Sequence, residues 1–204
     1  MRGRNVIEEI LRRWARSIAD DYRRIVVAIA KHDAQRVKLA DLRAAKVREF
    51  HTLGVVLGYR YDDSPVIVGD GSSPPAQDFH NYVPSAHPGC LAPHAWLDDG
   101  TSLYDHFGRG FTLLATDGAE GDDIDRAREA ARAADVPLQV IRPQEKGLTD
   151  LYAARYTLIR PDQHVAWRGD KVPDDAENLL LQVTGRAARR QQEERWAASA
   201  QSAR

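Results

Sequence analysis

Apolar residues recur at steps of three and four along the first thirty positions of the chain, which predicts one long amphipathic helix. A break is predicted at His32-Asp33, followed by a second helix over about 33–50. Each predicted helix carries a stripe of apolar residues on one face, and core packing is the simplest interpretation of both stripes. Two helices alone, however, cannot cover each other's apolar faces well. The first stripe consists of Ile7, Ile10, Leu11, Trp14, Ile18, Tyr22, Ile25, Val26 and Ile29, and the second carries Val37, Leu42, Val47 and Phe50 inward.

The pattern changes after the second helix. Residues 53–61 are rich in β-branched and aromatic side chains and predict an extended or strand-like passage, and 65–68 predict a short strand. Residues 69–91 show little periodicity and many Gly, Pro, Ser and Asn residues, which is typical of a linker. We therefore place a domain boundary there, after a first segment that covers 1–68.

From residue 92 onward, strands and helices alternate. Strands are predicted at 92–97, 110–115, 138–141, 155–160 and 164–168, and helices at 102–107, 122–134 and 174–184. Thr101 or Ser102 is the expected cap of the first of these helices, and Gly185 is expected to stop the last. This order predicts an α/β fold, a thioredoxin-like sandwich over 92–185, preceded by the amphipathic helical segment and followed by a polar tail at 186–204.

Composition and charge restrict the class of protein. The chain has 29 Lys and Arg against 30 Asp and Glu, so no long-range field favours nucleic acid or an anionic membrane as partner. No apolar run approaches the length that spans a bilayer, and a cytoplasmic location is expected. Cys90 is the single cysteine, which excludes an internal disulfide and dithiol chemistry, and its context predicts an accessible thiol.

No residue is predicted to be catalytic, to hold a metal or to bind a cofactor. The seven histidines form neither an HxxxH nor an HExxH motif, and His94 is expected to be a structural hydrogen-bonding residue beside Trp96. Ser85 and Ser102 lack the context of a serine nucleophile. Asp122, Asp123 and Asp125 are interpreted as helix-start charges, and Trp96 and Trp167 as packed residues. The histidines are His32, His51, His80, His87, His94, His106 and His164.

Several ordered sequence blocks lie between about residues 45 and 185. The first blocks are 48–54 (REFHTLG), 57–61 (LGYRY) and Ser64-Pro65. The later blocks are 82–89 (YVPSAHPG), 92–97 (APHAWL), 102–105 (SLYD), 110–114 (GFTLL) and 158–168 (LIRPDQHVAWR). Together they resemble FAD-dependent aromatic-ring monooxygenases of the phenol hydroxylase and polyketide hydroxylase group, and the first blocks are similar to the end of the flavin module in that group. The shared order of the blocks makes the resemblance specific.

The resemblance implies a fold and cofactors that belong to the family. Its members bind FAD and use NAD(P)H in a large amino-terminal part, and their carboxy-terminal part is thioredoxin-like without redox cysteines. The GxGxxG flavin fingerprint has no counterpart at the start of this chain, where a glycine-poor helix is predicted. Gly69-Asp70-Gly71 resembles a later flavin motif only superficially. We therefore expect no cofactor for this chain alone.

Two functions from different classes follow. The first is a carboxy-terminal structural or oligomerisation module of a flavin-dependent aromatic hydroxylase, inactive by itself. The second is a stand-alone thioredoxin-like interaction module that self-associates or binds a flavoprotein partner, without redox activity. On the first interpretation, the chain is expected to be a fragment, a shortened gene product or one subunit of a split enzyme.

Overall fold

The structure is a computed structural model, which describes residues 2–30 and 39–187. The chain divides into two compact units. The first is formed by Met1–Tyr61 with Ala76–Val83, and the second by Asp62–Pro75 with Pro84–Arg204. The segment predicted as a linker, 69–91, is thus shared between the units.

The first unit is helical, in agreement with the sequence pattern. Helix α1 runs over Arg2–Ala30, α2 over Leu39–Phe50 and α3 over Leu53–Val56. The predicted break at His32-Asp33 lies outside the described residues. Arg48 Nε and Nη2 donate to Asp21 Oδ2 at 3.1 and 2.8 Å, and Tyr22 Oη donates to Glu49 Oε2 at 2.7 Å. These polar contacts hold α2 against α1.

The prediction of an extended passage over 53–61 is wrong at its start, because Leu53–Val56 is helical. The glycine at position 54 serves close packing and does not mark a strand. A Cβ atom there would lie 1.7 Å from Asp78 O, so segment 76–83 can approach α3 only where a side chain is missing. Gln77 Nε2 donates to Gly54 O at 3.2 Å, and His80 Nδ1 lies 2.8 Å from His51 O.

The second unit is built on a four-stranded mixed sheet, so the predicted α/β class is confirmed. Its strands are β1 (Phe111–Ala115), β2 (Leu138–Ile141), β3 (Tyr156–Ile159) and β4 (Val165–Gly169), in the order β2-β1-β3-β4. β1 pairs with β2 in parallel and with β3 in antiparallel fashion, and β3 pairs with β4 in antiparallel fashion. Four of the five strands predicted from residue 92 onward are therefore present.

Helices of the second unit also follow the predictions. A 3₁₀ helix over Leu103–His106 is capped by Ser102, whose side chain accepts from Tyr104 N, and Asp105 completes a capping box. α4 covers Gly121–Ala133 and α6 covers Ala176–Val183, with Gly185 at a φ of 75° beyond its end. The sequence missed α5, Leu148–Tyr152.

Both faces of the sheet are covered, which explains why β1 and β3 are buried along their whole length. One face packs on α4 and α6, with Leu113, Leu158 and Trp167 at its centre. The opposite face packs on α5 and on residues of 86–103, with Leu114 and Ile159 at its centre. Trp167 is therefore packed as predicted.

Two predicted strands are not regular strands. Residues 65–68 form no strand, but Val68 N donates to Ala166 O at 2.8 Å at the outer edge of β4. Residues 92–97 form only an isolated bridge between Trp96 and Ser102, and a second bridge joins Leu91 to His164. Most of the predicted tail, 188–204, lies outside the described residues. No helix in the described part of the chain is long and apolar enough to cross a bilayer.

Candidate functional site

Cys90 is buried, with 8% of its surface exposed, which corrects the expectation of an accessible thiol. Its amide donates to His87 O at 2.9 Å, and its carbonyl accepts from Val165 N at 2.9 Å. The residue is thus fixed along the edge of β4. Because the chain has one cysteine, no resolving thiol exists for exchange chemistry.

The histidines of the described residues are dispersed, and the rings of most of them have a local contact. His87 Nδ1 lies 2.8 Å from Pro88 O, and His164 Nδ1 lies 2.9 Å from Asp162 O. His106 Nε2 lies 2.8 Å from Thr101 Oγ1. Within residues 2–30 and 39–187, no three His, Cys, Asp or Glu residues are arranged to hold a metal ion. His32 lies outside this range.

An aromatic cluster surrounds His94. Its ring makes edge-on contacts with Trp96 at 5.0 Å and with Tyr104 at 5.3 Å, measured between ring centroids. His94 Nε2 lies 3.0 Å from Ser102 Oγ, a contact that the sequence did not predict. Trp96 is 71% exposed, so its assignment to the core was wrong. Since Ser102 Oγ also accepts from Tyr104 N, the geometry fits helix capping.

Asp70 forms a shielded ion pair with Arg168 of β4. Arg168 Nε donates to Asp70 Oδ2 at 2.6 Å, and Ser72 N and Oγ donate to Asp70 Oδ1 at 2.9 and 2.6 Å. Partial burial acts to raise the pKa of Asp70, but the hydrogen bonds from Ser72 and Arg168 outweigh it and lower the pKa to about 2. Asp70 thus ties its segment to the sheet.

The start of α4 is acidic, and it follows β1 in the only βαβ crossover of the described residues. Such a helix start is where nucleotide pyrophosphates bind in related topologies, through backbone amides. Here Glu120 occupies the cap position, and Asp122 and Asp123 lie in the first turn. Negative side chains at these positions oppose the binding of a phosphate group.

Asp123 has a structural partner, which supports its interpretation as a helix-start charge. Its side chain is buried, pairs with Arg126 of the same helix and accepts from Val172 N at 3.3 Å. Arg126 Nη1 also donates to Val172 O at 3.1 Å. This network joins α4 to the loop before α6.

Several large apolar side chains of the first unit are exposed in the described residues. Val47 and Phe50 are 49% and 70% exposed, which corrects the prediction that they face inward. Large hydrophobic side chains with more than a third of their surface exposed lie on all three helices of this unit: Leu11, Tyr22, Val26, Val27, Val47, Phe50, Leu53 and Val56. Where such side chains lie together on one face, they are typical of an interaction surface.

Comparisons with known proteins agree with the resemblance seen in the sequence. Residues 85–200 match the model of the family described as "Aromatic-ring hydroxylase, C-terminal", which is more than half of the chain. The FAD-dependent monooxygenase apdD of Emericella nidulans is 37% identical over 142 residues, covering 66% of this chain and 23% of apdD. Phenol 2-monooxygenase of a Pseudomonas species is 32% identical, covering 71% of this chain and 27% of that enzyme.

Solved structures give the same result. The rebeccamycin biosynthetic enzyme RebC with reduced flavin is 35% identical in sequence and superimposes with a TM-score of 0.62. The superposition covers 80% of this chain and 28% of RebC. The chain therefore spans about a quarter of the length of the proteins that it matches. On these grounds, the chain belongs to the aromatic-ring hydroxylase carboxy-terminal domain family.

Proposed function

We propose that this chain acts as the carboxy-terminal module of a flavin-dependent aromatic-ring monooxygenase and contributes structure and subunit contacts, without holding flavin itself. The match of residues 85–200 to the family supports the first part of this proposal. The acidic start of α4 supports the second, because Glu120 and Asp122 would repel a pyrophosphate at the helix start that could otherwise receive it.

We further propose a thioredoxin-like arrangement of the second unit without redox activity. The parallel β1-α4-β2 crossover, the antiparallel β3-β4 hairpin and the closing helix α6 support the arrangement. The lone, buried Cys90 supports the loss of thiol chemistry, since exchange needs a second thiol. The cytoplasmic location and the absence of nucleic-acid or membrane partners stay predictions.

A second candidate function is a stand-alone interaction module that self-associates or binds a flavoprotein. The observation in its favour is the exposed apolar surface of the helical unit, where Val26 and Phe50 are 61% and 70% exposed. Burial of such a side chain contributes roughly 1.5–3 kcal/mol, so a few of them suffice to drive association.

An activity assay tests the first proposal. The purified chain is mixed with FAD, NAD(P)H and phenol, and coenzyme oxidation is followed by absorbance. We expect the rate to equal that of free FAD with the same reagents, because the chain offers no flavin site. A rate well above that background, with hydroxylated phenol formed, would contradict the proposal and restore an enzymatic role to the chain alone.

A further inference from the structure

Helix α1 carries a regular apolar seam. Leu11, Ala15, Ile18, Tyr22 and Ile25 follow one another at alternating steps of four and three residues, the spacing by which two helices pack along their length. Leu11 and Tyr22 are 44% and 37% exposed, so contacts within the chain leave much of the seam uncovered.

The two flanks of this seam differ. On one flank, Asp21 contacts Arg48, and Tyr22 Oη donates to Glu49 of α2, so α2 lies on that side. On the other flank lies Val26, about 60° from Leu11 around the helix axis at 100° per residue. Val26 is 61% exposed. The open strip therefore runs from Leu11 and Ala15 to Val26, with the partly exposed Tyr22 at its border with α2, and we call this strip the open α1 face.

We propose that the open α1 face binds the same face of a second copy of this chain, with the two α1 helices antiparallel. Each copy would contribute its α1-α2 pair, and together the pairs would form a four-helix bundle. The inference rests on the self-association that forms part of the proposed function, and it names the surface, the occupant and the orientation.

Side-chain size favours this pairing. A twofold axis near Ile18 and Ala19 brings Leu11 and Ala15 of one helix opposite Val26 and Tyr22 of the other. The small Ala15 then faces the large Tyr22, so the Tyr22 side chain of one helix fills the room beside Ala15 of the other. Because the face is self-complementary, a second copy satisfies it without any other protein.

Charge favours the antiparallel orientation. Residues 2–16 contain five arginines and two glutamates, a formal charge of +3, whereas 17–30 contain two arginines and two aspartates, a formal charge of zero. Parallel helices would place the two positive halves side by side, and antiparallel helices place each positive half beside a half that contains Asp20 and Asp21. Opposed helix dipoles add to the same preference.

Two matched valine variants test the surface. Val26→Glu places a carboxylate on the open α1 face, whereas Val27→Glu places it about 160° from Leu11, on the far side of the helix. Both valines are exposed, at 61% and 45%, and glutamate favours helix more than valine does, so neither variant should unfold α1. Sedimentation measures the mass in solution, and circular dichroism checks the helix content.

We expect a dimer for the wild type and for Val27→Glu. For Val26→Glu we expect a dissociation constant raised ~100-fold or more, since two buried carboxylates enter each dimer. A wild-type monomer overturns the inference together with the self-association, and so does a complex that forms only with a flavoprotein. If Val26→Glu stays dimeric, or if both variants become monomers, the open α1 face is overturned while self-association stands.

Single cysteines test the orientation in a Cys90→Ser background. Ala19→Cys lies near the proposed twofold axis, so its thiols meet and form a disulfide dimer under mild oxidation. Leu11→Cys lies far from the axis in an antiparallel pair and should form the disulfide slowly. Equal or faster cross-linking through Leu11→Cys would show parallel helices and overturn the antiparallel arrangement.

Discussion

The contact between Asp70 and Arg168 joins residues 98 positions apart, and it fixes the segment 62–75 to β4. Nothing local in the sequence signals it. Gly69-Asp70-Gly71 resembled a flavin motif only superficially, and the structure gives Asp70 a structural partner. The two side chains have 17% and 13% of their surface exposed, although Asp70 as a residue lies at the surface, so solvent partly screens the ion pair.

Replacement of this aspartate should destabilise the protein in a pH-dependent way. The pKa of Asp70 is about 2 in the folded protein, against an ordinary value of 3.8. We expect Asp70→Asn to lower the free energy of unfolding by about 1 kcal/mol at pH 7, because solvent screening reduces the ~2 kcal/mol that the pKa difference alone implies. Since the folded pKa is the lower one, this difference is full above pH ~4 and shrinks as the pH falls towards 2.

Urea unfolding of the wild type and the variant between pH 7 and pH 3 measures this difference. Asp63→Asn serves as a control, because Asp63 is exposed and asparagine tolerates its positive φ of 54°. The control should change the free energy of unfolding by less than ~0.5 kcal/mol at every pH. An equal effect of both substitutions would show that the Asp70 contact adds no stability.

Elements with a clear period were predicted well, and short or glycine-containing ones were not. Leu138–Ile141 matches its predicted strand at both ends, because a short, mainly apolar stretch between a proline and a polar turn leaves a clear pattern. α5 spans five residues between Gly147 and Ala153, both at positive φ, and is too short to show a helical period. The β-branched and aromatic residues of 53–61 indicated an extended passage, whereas the close packing at Gly54 is a tertiary contact that sequence alone cannot show.

Gly54 should be indispensable for the packing of α3 against segment 76–83. In Gly54→Ala the new Cβ would lie 1.7 Å from Asp78 O, a backbone atom that can move only with its segment. We expect the free energy of unfolding to fall by ~1–3 kcal/mol or more, a decrease typical of overpacking. Hydrogen exchange should increase in 53–57 and 76–83, while the amides of β1 and β3 keep their protection.

Gly69→Ala is the matched control. A Cβ at Gly69 would meet no atom within 4 Å, and Gly69 is not among the glycines at positive φ. Its hydrogen-exchange pattern should equal that of the wild type. If Gly54→Ala also behaved like the wild type, segment 76–83 would not pack on α3 as described.

At the scale of the whole molecule, the family was predictable from sequence because ordered blocks over 45–185 resemble it, and the comparisons confirm it. The exposure of Val47, Phe50 and Trp96 was not predictable, because an apolar period shows which residues share a face and not what covers it. The exposed apolar side chains of the helical unit are the basis for proposing a module that acts by binding another protein chain.

The central claim is that this member of the aromatic-ring hydroxylase carboxy-terminal domain family holds no flavin of its own. Titration of the purified chain with FAD, followed by flavin fluorescence and by absorbance after gel filtration, tests it most directly. We predict fluorescence equal to that of free FAD and a colourless protein fraction. Saturable binding of one FAD per chain would contradict the claim and would mean that the chain contains a flavin site despite the acidic start of α4.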